Sequence, residues 1–251
     1  MSPSPAKRTK KPREPRRFDK TQCRESGYRK IVHRDYFAHC LRWSWASRLI
    51  KMGERVLDVG CGQDAPLAKV LSATNFVHGG GSYLGVDMNK NVKGHGKTWC
   101  KILTEFDFTE RYAELGLFDV VTNFEVIEHM PHADGARLLV AMAAVLKPEG
   151  RIYLSTPVFN GKAARNHTGP EGRREYTVAE LQASIDKAGL RTEYRRGTFA
   201  SYQPLKRALT PEHLAVYEQL REFHGDDVMS CFLAALYPDA SRNCFWIIHH
   251  A

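Results

Sequence analysis

Residues 54–64 read Glu-Arg-Val-Leu-Asp-Val-Gly-Cys-Gly-Gln-Asp, and this stretch decides the fold. Val56, Leu57 and Val59 make a short apolar run, interrupted by Asp58 and closed by Gly60-Cys61-Gly62. A helix-forming stretch, Ala65-Pro66-Leu67-Ala68-Lys69-Val70-Leu71, follows at once. Apolar run, glycine turn and helix predict strand, ligand loop and helix, the opening unit of a doubly wound sheet. Glycine is needed where φ must be positive or where a ligand approaches the main chain. The third glycine of the dinucleotide fingerprint is missing, and Gly-x-Gly alone occurs in many turns that bind nothing.

Working outward, Ser82-Tyr83-Leu84-Gly85-Val86-Asp87 is a second apolar strand ending in an acid, 25 residues beyond Gly62. A carboxylate there can accept hydrogen bonds from two vicinal hydroxyls. Thr104-Glu105-Phe106-Asp107-Phe108-Thr109 places another acid after a third strand; the plain reading of Asp107 is a helix N-cap. Phe118-Asp119-Val120-Val121-Thr122-Asn123-Phe124 is a fourth strand, followed by Glu125-Val126-Ile127-Glu128-His129. Helical spacing would set Glu125, Glu128 and His129 on one face. Residues 135–146 predict a helix stopped by Lys147-Pro148-Glu149-Gly150, and Arg151–Pro157 a fifth strand. Thr177 caps a helix with Val178, Leu181 and Ile185 inward. A strand near 190–199 and a final one at Cys244–Ile248 enclose two helical patterns over 205–238.

Asp-Val-Gly-Cys-Gly resembles motif I of the class I S-adenosylmethionine-dependent methyltransferases, and the likeness runs from about Met52 to the C-terminus. It implies an α/β fold, a Rossmann-like seven-stranded and mainly parallel sheet with helices on both faces and a reversed last strand. In that family the loop at Asp58, Gly60, Cys61 and Gly62 cradles the methionine part of S-adenosylmethionine, the acid taking its ammonium group. Asp87 then takes the ribose, Asp107 the adenine amino group and the Phe108 amide a ring nitrogen; Met88 either lines the adenine face or simply packs. Asn123 and Glu125 face the sulfonium and the acceptor.

Glu-Val-Ile-Glu-His occurs both in small-molecule enzymes of the ubiquinone-pathway type and in metal-dependent small-RNA 2′-O-methyltransferases. In the latter, Glu125, Glu128, His129 and a later histidine, best matched by His167, would hold a divalent ion. Arg174-Glu175-Tyr176-Thr177-Val178-Ala179-Glu180-Leu181 looks more like the small-molecule enzymes, so a metal is not favoured. His129 otherwise serves as a general base or shapes the cofactor pocket; with Glu125 and His167 it makes up the candidate catalytic set. Neither Asn-Pro-Pro-Tyr nor Asp-Pro-Pro-Tyr is present, against an exocyclic-amine DNA methylase, and no Pro-Cys nucleophile follows the fourth strand.

The 251 residues are 43% hydrophobic and 26% charged, suiting one soluble domain over 28–251. No apolar stretch reaches the ~20 residues of a membrane span. Six scattered cysteines fit reduced thiols in the cytoplasm. The net charge of +9 is unevenly placed. Residues 1–34 hold twelve Lys/Arg against three Asp/Glu, and the remainder is balanced. Residues 1–27 read as a disordered basic tail, either solubilising or a tether to nucleic acid. Residues 28–51 suggest an amphipathic helix with Phe37, Leu41, Trp45 and Ile50 inward, leaving Tyr36, His39 and Trp43 as substrate-side candidates. By family analogy, 205–238 is an insertion over the acceptor site.

Three functional readings follow. Methyl transfer to an O or N nucleophile of a small polar metabolite or nucleoside is favoured. A nucleic-acid methyltransferase tethered by residues 1–34 is the alternative. A non-catalytic cofactor-binding regulatory domain is the third, against which the intact acids at 58, 87 and 107 stand.

Overall fold

A computed structural model describes residues 36–94, 96–159 and 175–251; the basic tail and His167 lie outside these. The described chain runs α1 (Tyr36–Leu49), β1 (Arg55–Val59), α2 (Pro66–Ser72), β2 (Ser82–Val86), β3 (Cys100–Leu103), α3 (Phe108–Arg111) and β4 (Phe118–Phe124). It continues through α4 (His132–Ala144), β5 (Leu146–Pro157), α5 (Val178–Lys187), β6 (Leu190–Phe199), α6 (Tyr202–Ala208), α7 (Pro211–Ala234) and β7 (Asn243–His250).

The strands form one sheet in the order β3-β2-β1-β4-β5-β7-β6. Strands β1 to β5 pair in parallel, and β7 runs antiparallel to both β5 and β6. The expected mainly parallel sheet with a reversed last strand is therefore the fold. Strand order reverses between β1 and β4, which opens a crevice at their C-terminal ends.

Side chains alternate across each strand and so build two cores. Leu57, Val59, Val121, Ile152 and Leu154 pack with Leu138, Leu139, Leu181 and Ile185 of α4 and α5. Val56, Val120, Tyr153 and Phe245 pack with Ala46, Leu67, Ala68 and Leu71 of α1 and α2 on the opposite face. Among the described residues no helix is long and apolar enough to cross a membrane, and Cys40, Cys61 and Cys244 are free thiols.

Three expectations are corrected. The innermost residues of α1 are Ala38, Arg42 and Ala46; Ile50 just beyond it is buried and Leu41 and Trp45 pack in part, as expected, whereas Phe37 is exposed. Small alanines bring this helix close to the sheet, and the buried arginine between them reaches a carboxylate. The fifth strand starts at Leu146: its register slips between Phe118 opposite Leu146 and Val120 opposite Arg151, so residues 147–150 bulge within a strand. The turn after β4 is a 3-10 turn over Ile127–His129 and no α-helix, with Glu125 before it at φ 55. Glu125, Glu128 and His129 consequently do not share a helical face.

Candidate active site

The glycine loop is fixed from two sides. The amides of Gly60 and Cys61 donate to the Val86 carbonyl at 2.8 and 3.2 Å, and the Gly62 amide donates to Asp87 Oδ2 at 2.9 Å. Gly60 and Gly62 both have positive φ, 75° and 73°. A Cβ on Gly60 would lie 2.4 Å from Val126 Cγ2, so conformation and close approach both demand glycine there. The loop after β2 returns over it, the Lys93 amide donating to the Gln63 carbonyl. Asp87 Oδ1 accepts from the Asn89 amide at 2.7 Å. Each Asp87 oxygen thus organises backbone and keeps a lone pair.

Asp58, next to last in β1, has its carboxylate buried. Tyr83 Oη donates to Oδ2 and Thr122 Oγ1 to Oδ1, both at 2.6 Å. Burial outweighs these bonds and pushes its pKa up to about 6. Asn123 is fully buried; its Nδ2 donates to the Val59 carbonyl at 3.0 Å, and its Oδ1 has no hydrogen-bond partner among the described residues. Cys61 is buried beside these acids, and burial pushes its thiol well up, which makes it packing and no nucleophile.

Past β3 the Phe106 amide donates to the Asp87 carbonyl, bringing the third acid beside the second. Asp107 is the N-cap of α3: its Oδ1 accepts from the Thr109 amide at 3.0 Å and from Thr109 Oγ1 at 2.7 Å. The plain reading of Asp107 therefore holds for one oxygen. The Phe108 amide heads the helix, where it has no intrahelical acceptor. The Phe108 ring is buried in the core, and Met88 is half exposed.

Glu125, directly after β4, has left-handed backbone, unusual for a non-glycine residue and found at functional sites. Ser155 Oγ donates to its Oε1 at 2.9 Å and Asn243 Nδ2 to its Oε2 at 3.1 Å. Arg42 Nη1 stands 3.2 Å from Oε1. This junction joins α1, β4, β5 and β7 at one point. Glu128 is buried with Thr156 Oγ1 donating to it at 3.0 Å. Burial first, and the charge of Glu125 second, push its carboxyl well above the usual range. His129 stands at the rim, its Nε2 3.8 Å from Glu128 Oε1. Among the described residues no three His, Cys, Asp or Glu side chains converge as ion ligands.

Sequence reasoning missed Arg42, the one fully buried cation among the described residues. Its Nη2 meets His39 Nδ1, while Nε lacks a hydrogen-bond partner there and Nη1 lacks bond geometry to Glu125. A guanidinium with spare buried donors fits a carboxylate. The only signal was its place between Ala38 and Ala46 at four-residue spacing, and an arginine on a helix ordinarily reads as solvated.

A methyltransferase-domain family profile matches residues 28–209. The chain is similar to a ubiquinone biosynthesis O-methyltransferase of Thiobacillus denitrificans, 31% identical over 189 residues, spanning 66% of this chain and 76% of that one. A ubiquinone biosynthesis O-methyltransferase of Ralstonia nicotianae is 33% identical over 186 residues, covering 66% and 74%. Among solved structures, a TehB-like S-adenosylmethionine-dependent methyltransferase of Corynebacterium glutamicum shares the fold, with a TM-score of 0.52, 15% identity and coverage of 84% and 87%. Buried acids around a glycine loop, unmet donors and acceptors at the strand ends, and a family match over most of the chain agree. The chain belongs to the methyltransferase-domain family and is an S-adenosylmethionine-dependent methyltransferase.

Proposed function

We propose that the enzyme methylates a hydroxyl oxygen of a small polar molecule. The observation that carries this is the Glu125 junction, a strained carboxylate fixed by Ser155, Asn243 and Arg42 where the crevice opens. The O-methyltransferase names of the relatives support oxygen over nitrogen.

S-adenosylmethionine supplies an activated methyl group together with its own cationic leaving group. The residues then bind, align and handle a proton. Asp58 takes the ammonium group, aided by Asn123 Oδ1, and Arg42 takes the carboxylate with its spare N–H groups. Asp87 accepts from the ribose hydroxyls, and Asp107 through Oδ2 from the adenine amino group, beside the Phe108 amide. Glu125 accepts a hydrogen bond from the acceptor hydroxyl and so aims its lone pair along the line of displacement. As the methyl is transferred that proton passes to Glu125, and His129, at the rim, hands it on to solvent as a general base can. His167, the other sequence candidate, lies outside the described residues.

Radiolabelled S-adenosylmethionine supplied with separate panels of phenols and catechols, aliphatic alcohols, amines, nucleosides and total RNA tests the reading. Label on a hydroxyl compound, reduced at least 100-fold by Glu125→Gln, is the expected result. Label confined to RNA, or to amines, contradicts it.

A further inference from the structure

The first half of α7 presents an apolar stripe to the outside. Val216, Leu220 and Phe223 lie at i, i+4 and i+7, and Phe223 is 82% exposed. The inner side of the helix is satisfied: Tyr217 is buried and stacks on Tyr202 at 5.6 Å, and Tyr202 Oη donates to Glu218. Arg221 pairs with Glu218 at 2.8 Å and with Asp226 at 2.9 Å, which uses the one cation of the helix. Glu212, Glu222 and Asp227 are left exposed around the stripe. Residues 211–236 carry five acids against one base, so the neutral sum of residues 35–251 hides a strongly acidic helix.

An exposed apolar stripe edged by acids fits a basic, partly apolar segment. This chain has one. Residues 1–34 hold the whole net charge, and Phe18, Tyr28, Ile31 and Val32 sit among Lys20, Arg24, Arg29, Lys30 and Arg34 in its second half. The segment also joins the described chain at the right place. Helix α1 begins at Tyr36, and Ala38 packs against Cys231 of α7. Cys231 is eight residues from Phe223, beyond the kink that Gly225 puts in α7 with its φ of 76°. A segment that extends by about 3.3 Å per residue reaches this face easily. The family match covers residues 28–209, so neither residues 1–27 nor α7 falls within it. A second copy of the chain suits the stripe less well, because two such acidic helices repel.

We propose that the basic segment 1–34 docks within the same molecule on the outer face of α7, its cations on Glu212, Glu222 and Asp227 and its apolar side chains on Val216, Leu220 and Phe223. The tail is then a clamp on the insertion, and its charge is masked by the protein itself. The inference stands independently of which acceptor is methylated.

Carbodiimide cross-linking of the full chain, followed by peptide mass spectrometry of the monomer fraction, tests it. Lysines of 1–34 should join Glu212, Glu222 and Asp227 preferentially. These links should fall at least fivefold in Phe223→Ser and in the double variant Glu222→Lys/Asp227→Lys, both surface changes that leave the melting temperature in place. Amide exchange over 212–224 should quicken at least fivefold in a full chain carrying Arg24→Gln, Arg29→Gln, Lys30→Gln and Arg34→Gln. Links that appear only in a dimer fraction would assign the stripe to a second copy and overturn the proposal. Links spread evenly over surface carboxylates, or RNA binding by the segment with α7 exchange unchanged by the four substitutions, would overturn it equally.

Discussion

In the proposed pocket Asp58 would tie ligand binding to pH through a single buried residue. Its carboxyl is raised to about 6 because burial disfavours the ion more than Tyr83 and Thr122 favour it. The folded protein thus holds this proton more tightly than the unfolded chain, where an aspartate titrates near 3.9. The stability this contributes is complete below about pH 4 and is lost as pH rises through 6. Binding an ammonium group needs the ionised form, so S-adenosylhomocysteine affinity should be about tenfold weaker at pH 5 than at pH 8. Calorimetric titrations at several pH values check this, and Asp58→Asn should bind weakly with no step near pH 6. A wild-type affinity that is flat from pH 5 to 8 would separate Asp58 from the ligand. At this scale the sequence showed the acids, since each follows an apolar run. It hid Arg42 and the left-handed Glu125, because both depend on partners 83 to 118 residues away in the chain.

At the scale of elements, local chemistry predicts local stability. Thr177 and Glu180 form a complete capping box at the start of α5, the Thr177 side chain accepting from the Glu180 amide at 3.1 Å. Thr177→Ala should lower unfolding free energy by about 1 kcal/mol in urea titrations, with activity retained. Gly60→Ala should be worse, by about 1–3 kcal/mol, through positive φ and the approach of Val126. Adding Val126→Ala should recover the steric part and leave the conformational part, which melts of the single and double variants would separate. The cap at Thr177 was readable because a cap is a matter of neighbours in sequence. The facing of α1 was readable only in part: Leu41, Trp45 and Ile50 pack inward, but close approach to the sheet sets Ala38 and Ala46 innermost and leaves Phe37 outside. The 3-10 turn over Ile127–His129 was likewise set by the bend at Glu125 and not by helix-forming residues.

For the whole molecule, the alternation of short apolar runs with helical stretches determined the doubly wound sheet, and motif spacing placed the crevice at the reversal of strand order. The helical segment before β7 was legible from Pro211, Gly225 and Pro238, whereas its packing against β6 and α1 is a tertiary fact. Charge is organised at this scale as well: residues 1–34 sum to +9 and α7 to −4, and the rest of residues 35–251 offsets that helix with +4.

The central claim is that the crevice around Gly60, Asp58 and Asp87 is the cofactor pocket. Isothermal titration of S-adenosylhomocysteine into wild-type protein and Asp87→Ala tests it most directly. The pocket predicts saturable one-to-one binding that weakens at least tenfold in Asp87→Ala, about 1.4 kcal/mol, with circular dichroism unchanged. Equal affinity in the two proteins would place the cofactor elsewhere and contradict the account.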